Sequence, residues 1–256
     1  MLPMRSASEL RELVSAYLAD LELTRELGTL EEPVRYAVGG KLIRPALCLA
    51  TAEAAGASAE EALAAAVAVE LVHSFSLVHD DLPALDDDEM RRAKPAVHVE
   101  YGERTAILVG DALLAEAMRL ALTYDTPHVG RELAAATLRM IGGQQLDFEG
   151  GTARESVHRL KTAALFEAPV ACALWVARVP EDDQRTWRRF GFETGMLFQA
   201  VDDLLDDDGL VVERGAEVTR TLADERAARA RAALAELDAD TSVLHGLVDA
   251  LVTRTA

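Results

Sequence analysis

Apolar residues recur at three- and four-residue intervals along most of the chain, and nowhere do they alternate with polar residues long enough to predict a strand. The punctuation is helical as well. Ser6-Ala7-Ser8-Glu9 reads as a capping box, in which a serine hydroxyl and a glutamate carboxylate each satisfy a free first-turn amide. It predicts a helix to about Gly28. Pro33 and Pro45 stand where first-turn prolines are tolerated, and Gly39-Gly40 and Gly56 stand where helices stop. Ser58 with Glu61 is a second box, predicting a long helix through Ala62–Val72 to about Asp81, just before Pro83. A polar loop follows over about 82–103, then helices over roughly 104–122 and 128–148. Thr152 with Glu155 forms a third box, opening a helix to about Glu167. Pro180 precedes one long helix ending near Gly209, and two more follow over about 218–237 and 241–254. These roughly ten helices have no linker rich in Pro, Gly or Ser between them, which predicts one all-α domain spanning residues 1–256.

Composition narrows this further. The chain has 256 residues, half of them hydrophobic, with alanine exceeding forty and a net charge of −18. So acidic a chain has no general electrostatic reason to bind nucleic acid or an anionic membrane. Its uninterrupted apolar runs, such as Leu63 to Val69, fall short of the roughly 20 residues of a membrane span. Arg5, followed soon by acidic residues, does not open a signal peptide. Cys48 and Cys172 lie in alanine-rich helical surroundings and fit a reducing compartment, so a cytoplasmic location is expected.

The acid is unevenly spread. Asp80, Asp81, Asp86, Asp87, Asp88 and Glu89 crowd one stretch; Asp202, Asp203, Asp206, Asp207 and Asp208 crowd another. Together they hold 11 of the 44 acidic residues. Both clusters end an apolar helix, where the helix dipole is already negative and each acid costs a few tenths of a kcal/mol. Asp202 and Asp206 also share a face, where like charges repel. A divalent cation would relieve these costs, and oxygen-only ligands favour Mg²⁺ over zinc. The plainer alternative is a pair of solvated acidic helix ends. An EF-hand is excluded, because the alternating aspartates and the closing glutamate are missing.

Positive charge is set against these acids. Lysine occurs only three times, at Lys41, Lys94 and Lys161. Lys41 follows Gly39-Gly40 in a hinged turn into a helix, Lys161 interrupts an apolar helix, and Arg91-Arg92 directly follows the first acidic cluster. Acids flanked by compact cations suit a ligand with several phosphate oxygens, bridged by Mg²⁺. Helical spacing puts His73, Ser76 or Leu77, and Asp80 on one face, and Gln199 one turn before Asp202. Gly142-Gly143-Gln144 would let a helix approach a ligand closely.

Taken together, these segments resemble the trans-isoprenyl diphosphate synthases, in particular the bacterial farnesyl diphosphate synthase type. The stretch from Glu70 through His73, His79, Asp80-Asp81 and Asp86 to Arg91-Arg92 is similar to the family's first aspartate-rich motif in its longer form. Phe198-Gln199-Ala-Val-Asp202-Asp203-Leu-Leu-Asp206 is similar to the second. Gly39-Gly40-Lys41-Leu-Ile-Arg44-Pro45, Gly110-Asp111, Gly142-Gly143-Gln144 and Lys161-Thr162 fall in the family's order. The resemblance implies an all-α bundle around a deep cavity and a homodimer. Asp80, Asp86 and Asp202, with Asp81, Asp203 and Asp206 close by, would hold about three Mg²⁺ ions against an allylic diphosphate. Arg91, Lys161 and Gln199 would contact that substrate; Lys41, Arg44, His73 and Arg92 would hold isopentenyl diphosphate. The Thr162 hydroxyl and nearby carbonyls would steady the carbocation left when the allylic C–O bond ionises. Phe75 and Ser76, the fifth and fourth positions before Asp80, would set product length, the ring acting as a floor. A C15 product is expected first, then C20, then C10.

The chain departs from the family's pattern in two places. Leu42 stands where another basic residue is usual. After Asp208 the chain continues Gly209-Leu-Val-Val-Glu-Arg214-Gly-Ala-Glu-Val-Thr-Arg220, shorter than the family's loop and without its lysine. Arg214 or Arg220 would have to substitute, with a wide fork in place of a point charge. Two alternatives therefore stay open: a weakly active partner subunit of another prenyl synthase, and a class I terpene cyclase.

Overall fold

The computed structural model describes residues 4–151 and 153–254, and these are helical almost throughout. Ser6 caps α1 (Ala7–Asp20) through the expected box with Glu9, and Ser58 caps α4 (Ala59–Asp80) through the box with Glu61. Helix α1 stops at Asp20, not near Gly28. Leu21 is extended, and residues Arg25–Leu30 form a separate 3₁₀ turn before α2 (Glu31–Ala37). Pro33 and Pro45 are the third residues of α2 and α3 (Ile43–Ala54). There the missing N–H is one the helix would not have used.

The segment expected to be a plain loop over 82–103 carries structure of its own. Two short strands, β1 (Met90–Arg91) and β2 (Lys94–Pro95), pair antiparallel, and α5 (Val97–Tyr101) follows. The hairpin turns through Arg92 and Ala93, both left-handed at φ 55° and 60°. Non-glycine residues hold that conformation at some cost. Helices α6 (Glu103–Ala121) and α7 (His128–Glu149) come next.

Thr152, of the third expected capping box, lies outside the described residues. Beyond it the helix does not end at Glu167. It runs as α8 (Arg154–His158), a π-helical turn (Arg159–Ala163) and α9 (Ala164–Val176), accommodating Pro169. A 3₁₀ turn (Glu181–Gln184) leads into α10 (Arg185–Asp206), followed by α11 (Leu210–Arg214), α12 (Ala216–Ala235) and α13 (Ser242–Val252).

The buried apolar residues form one cluster, in which α4 packs against α3, α6 and α9, and α10 against α9 and α12. By length and composition α4 could cross a membrane, but it runs through the middle of this core, with Val67, Val69 and Leu71 fully enclosed. The π-turn is gripped from two sides. A Cβ at Gly143 of α7 would lie 2.4 Å from the Lys161 backbone nitrogen, and one at Gly195 of α10 would lie 2.7 Å from the Ala163 Cα. Only glycine lets both helices close on that turn, and the turn carries Lys161 and Thr162. Gly143→Ala should therefore cost about 1–3 kcal/mol in thermal or urea unfolding. An unchanged midpoint would mean that α7 does not pack on the turn.

Candidate active site

The C-terminal half of α4, the start of α3, α7, the π-turn and α10 enclose a cavity of about 880 Å³. Its charged lining comes from separate elements. The turn before α3 contributes Lys41 and the first turn of α3 Arg44; α4 contributes Glu70, His73 and Asp80; the hairpin contributes Arg91 and Arg92. Lys161 and Thr162 enter from the π-turn, and Gln199 and Asp202 from α10. Phe75 and Ser76 line the same cavity, Phe75 edge-to-face on His79 with ring centroids 5.0 Å apart. The helical register inferred for His73, Ser76 and Asp80 is thus the one observed.

Four of the expected aspartates do not line the cavity. Asp81 is buried and takes the Arg91 guanidinium, which also reaches Asp88 at 2.8 Å. Asp203, also buried, turns away and is bonded by Gln199 and by the Leu210 backbone amide. One position along a helix is about 100° of rotation, so the second member of each Asp-Asp pair faces protein where the first faces the cavity. Asp206 is exposed at the last residue of α10. Asp86 stays near the mouth: its amide donates to the Asp80 carbonyl at 2.8 Å, and its carboxylate feels Lys161 and Asp147. Neither Arg214 nor Arg220 replaces the expected loop lysine in the lining. Arg214 is drawn to Glu213 and Glu155, and Arg220 is exposed.

The cavity is electrostatically unfinished. Asp80 has no side-chain partner among the described residues; burial, with Asp86 and Asp81 adding to it, raises its pKa to about 6 against the pull of Lys161. Burial raises Asp202 as well, although Arg254 donates to it at 2.5 Å. On the other side Arg44 is partly buried, its guanidinium 4.6 Å from the Phe166 ring centroid and 5.4 Å from that of Phe198. Desolvation lowers its pKa to about 10 and holds His73 well below the usual imidazole range. Among the described residues the Arg44 Nε and both amide atoms of Gln144 have no hydrogen-bond partner. Buried polar groups without partners are costly unless something else satisfies them. Here they point to an anionic ligand beside Arg44 and a cation beside Asp80.

Among the described residues no three His, Cys, Asp or Glu side chains converge as a ready-made metal cage. The donor set nevertheless suits a hard cation: Asp80 is uncompensated, Asp86 is close to it, Asp202 lies on the facing helix, and no thiol is near. Such a cation would draw part of its coordination from ligand oxygens.

The polyprenyl synthetase family model matches residues 28–222 of the chain. The chain belongs to that family. Geranylgeranyl diphosphate synthase of Cyanophora paradoxa is 39% identical over 215 residues, covering 77% of this chain and 71% of the relative. Farnesyl diphosphate synthase of Bacillus subtilis is 40% identical over 187 residues, covering 67% of this chain and 63% of the relative. The solved geranyltransferase structure from Legionella pneumophila superposes with a TM-score of 0.88 at 29% identity, covering 97% of this chain and 96% of that one.

Three residues of this polyprenyl synthetase site were given no role from the sequence. Asp147 binds the Lys161 ammonium at 2.9 Å and also takes Arg154. Its only signal was an acid one helix away from an isolated lysine. Arg254 lies far along the chain from every motif; it lines the cavity and lies 5.1 Å from the Phe198 ring. Glu70 sits 3.7 Å from Arg92, within an apolar stretch of α4 that hid it. Burial raises its pKa to about 7, with Arg44 and Arg92 opposing. Folded Glu70 therefore keeps a proton that the unfolded chain loses near pH 4.5, and ionising it removes stability as pH rises through 7. Glu70→Gln has no such proton. Its unfolding free energy minus that of wild type should grow by about 2–3 kcal/mol between pH 5 and pH 8, measured by urea unfolding. A difference independent of pH would remove the strained carboxyl.

Proposed function

We propose that the chain is a Mg²⁺-dependent prenyltransferase that joins isopentenyl diphosphate head-to-tail to an allylic diphosphate, with farnesyl diphosphate as its main product. The observation that carries this reading is the facing of uncompensated Asp80 and unpartnered Arg44 across one cavity with an apolar floor at Phe75. Asp80 and Asp86 on one side and Asp202 on the other would hold Mg²⁺, which when bound would neutralise the departing diphosphate. Lys161 and Arg91 face the allylic diphosphate. Lys41, Arg44, His73 and Arg92 line the end that would take isopentenyl diphosphate. The allylic C–O bond breaks with its electron pair leaving on the diphosphate. The isopentenyl double bond attacks the resulting carbocation, and the neighbouring carbon yields its proton to the released diphosphate. Thr162 and Gln199 present oxygen to the developing positive charge, in a space from which bound hydrocarbon excludes water.

The intact aspartate pair on α10 favours this reading over a cyclase. A homodimer is part of the proposal, supported by large apolar side chains left exposed on α6 (Ile107, Leu108), just after it (Leu122, 68% exposed) and on α7 (Leu138, 71% exposed). A cytoplasmic location is part of it too, supported by two buried free thiols, Cys48 and Cys172.

Incubation with Mg²⁺, isopentenyl diphosphate and, in turn, dimethylallyl, geranyl and farnesyl diphosphates should yield a C15 product by chromatography. No product from folded protein with any pair would overturn the reading in favour of a partner subunit. Asp80→Ala and Asp202→Ala should each lower turnover by several orders of magnitude, as loss of an electrostatic group at the reacting charge does, while thermal unfolding shows the fold retained or stabilised. Full activity would remove those carboxylates from the cation site. Phe75→Ala should lengthen the prenyl chain in the same assay; an unchanged product spectrum would place the floor elsewhere.

A further inference from the structure

A chain of hydrogen bonds runs from the cavity wall into the protein. The Thr162 hydroxyl donates to the Gln199 Oε1 at 2.6 Å, and the Gln199 Nε2 donates to the Asp203 Oδ1 at 2.8 Å. The Asp203 Oδ2 accepts the Leu210 backbone amide at 2.8 Å, with the His158 Nε2 at 3.6 Å. Asp203 is 4% exposed and is wedged under Gly209, where a Cβ would fall 2.6 Å from its carboxyl atoms. Gln199 and Thr162 line the cavity and Asp203 does not.

The direction of this chain follows from its far end. A carboxylate only accepts, so Gln199 must present its NH₂ to Asp203 and its oxygen to Thr162. Thr162 then spends its one proton on Gln199, and its lone pairs are what remain for the cavity. We propose that Asp203 is a positioning residue that fixes the polarity of Gln199 and Thr162, so that both turn acceptor oxygens toward the cavity where positive charge develops. This rests on the prenyl-transfer reading, and it removes Asp203 from the metal-binding set. The carboxylate acts through Gln199 and touches no reacting atom.

Asp203→Asn tests it. Asparagine keeps one oxygen for the Leu210 amide but turns a donor toward residue 199. The Gln199 amide must flip, and the Thr162 proton swings toward the cavity. Turnover should fall at least tenfold while KM for both diphosphates stays within about twofold and Mn²⁺ affinity, read by EPR, stays within about twofold. The double variant Gln199→Glu with Asp203→Asn restores an acceptor at 199 facing donors on both sides, with the total charge unchanged. It should recover most of the lost turnover. Unchanged kcat in the single variant, loss of Mn²⁺ binding, or a double variant no better than the single would each overturn the proposal. Should both variants fail to fold, the wild-type Gln199 side-chain amide gives the answer by NMR. Slow hydrogen exchange is expected, and exchange at the free-amide rate would overturn the assignment. Wild-type protein assayed in parallel separates this outcome from failure of the prenyl-transfer reading, which would show as no product from wild type itself.

Discussion

Charges of opposite sign held apart across one cavity are the constraint on which the rest of the molecule depends. Left mobile, Asp80 and Arg44 would find partners and the cavity would collapse on itself. They stay apart because each is fixed to a helix whose other faces are locked in close-packed core: α4 among α3, α6 and α9, and α3 against α9. Low local polarity makes this separation costly in the empty protein and strengthens attraction toward a ligand carrying the complementary charges. Alanine serves that end. Small side chains bring the helices close without long flexible groups that could reach across and neutralise the site.

Secondary contacts set how far each charge is compensated. Asp81 binds Arg91 and tethers the hairpin to the end of α4, while Asp147 steadies Lys161 at the mouth. Arg254 pairs with Asp202 and lies against the Phe198 ring. The Lys161 and Arg254 pairs are partly exposed on both sides, and such pairs contribute little to stability. Their consequence is geometric: they hold cations near the cavity without burying them in a permanent bond.

Much of this was legible in the sequence, for identifiable reasons. The two capping boxes at Ser6 and Ser58 are local chemistry and appear as expected. Acidic residues gathered at the ends of apolar helices conflict with the helix dipole, and a conflict of that kind marks a site more clearly than any hydrophobic stripe. What stayed hidden was nonlocal. Leu21 ends α1 because of where the following chain packs, although Gly28 offered the better local stop. Asp202 and Asp203 are chemically alike, and only the packing of α10 decides which one faces inward. Glu70 has its meaning from Arg44 and Arg92, which lie far from it in the chain. The course of the helix beyond Glu167, through Pro169, depends on neighbours that hold it straight.

The π-turn at Arg159–Ala163 carries a consequence for how this chain can vary. A π-turn holds one residue more than an α-helical turn, and that surplus rotates everything after it by about 100° relative to an uninterrupted helix. Lys161 and Thr162 can thus face the cavity while Ala164, Phe166 and Val170 face the core. Substitutions here change chemistry one side chain at a time. Loss of a single residue would heal the helix, and either the lysine or the whole following core face would point the wrong way. Over these five residues the chain's length is held more tightly than its composition.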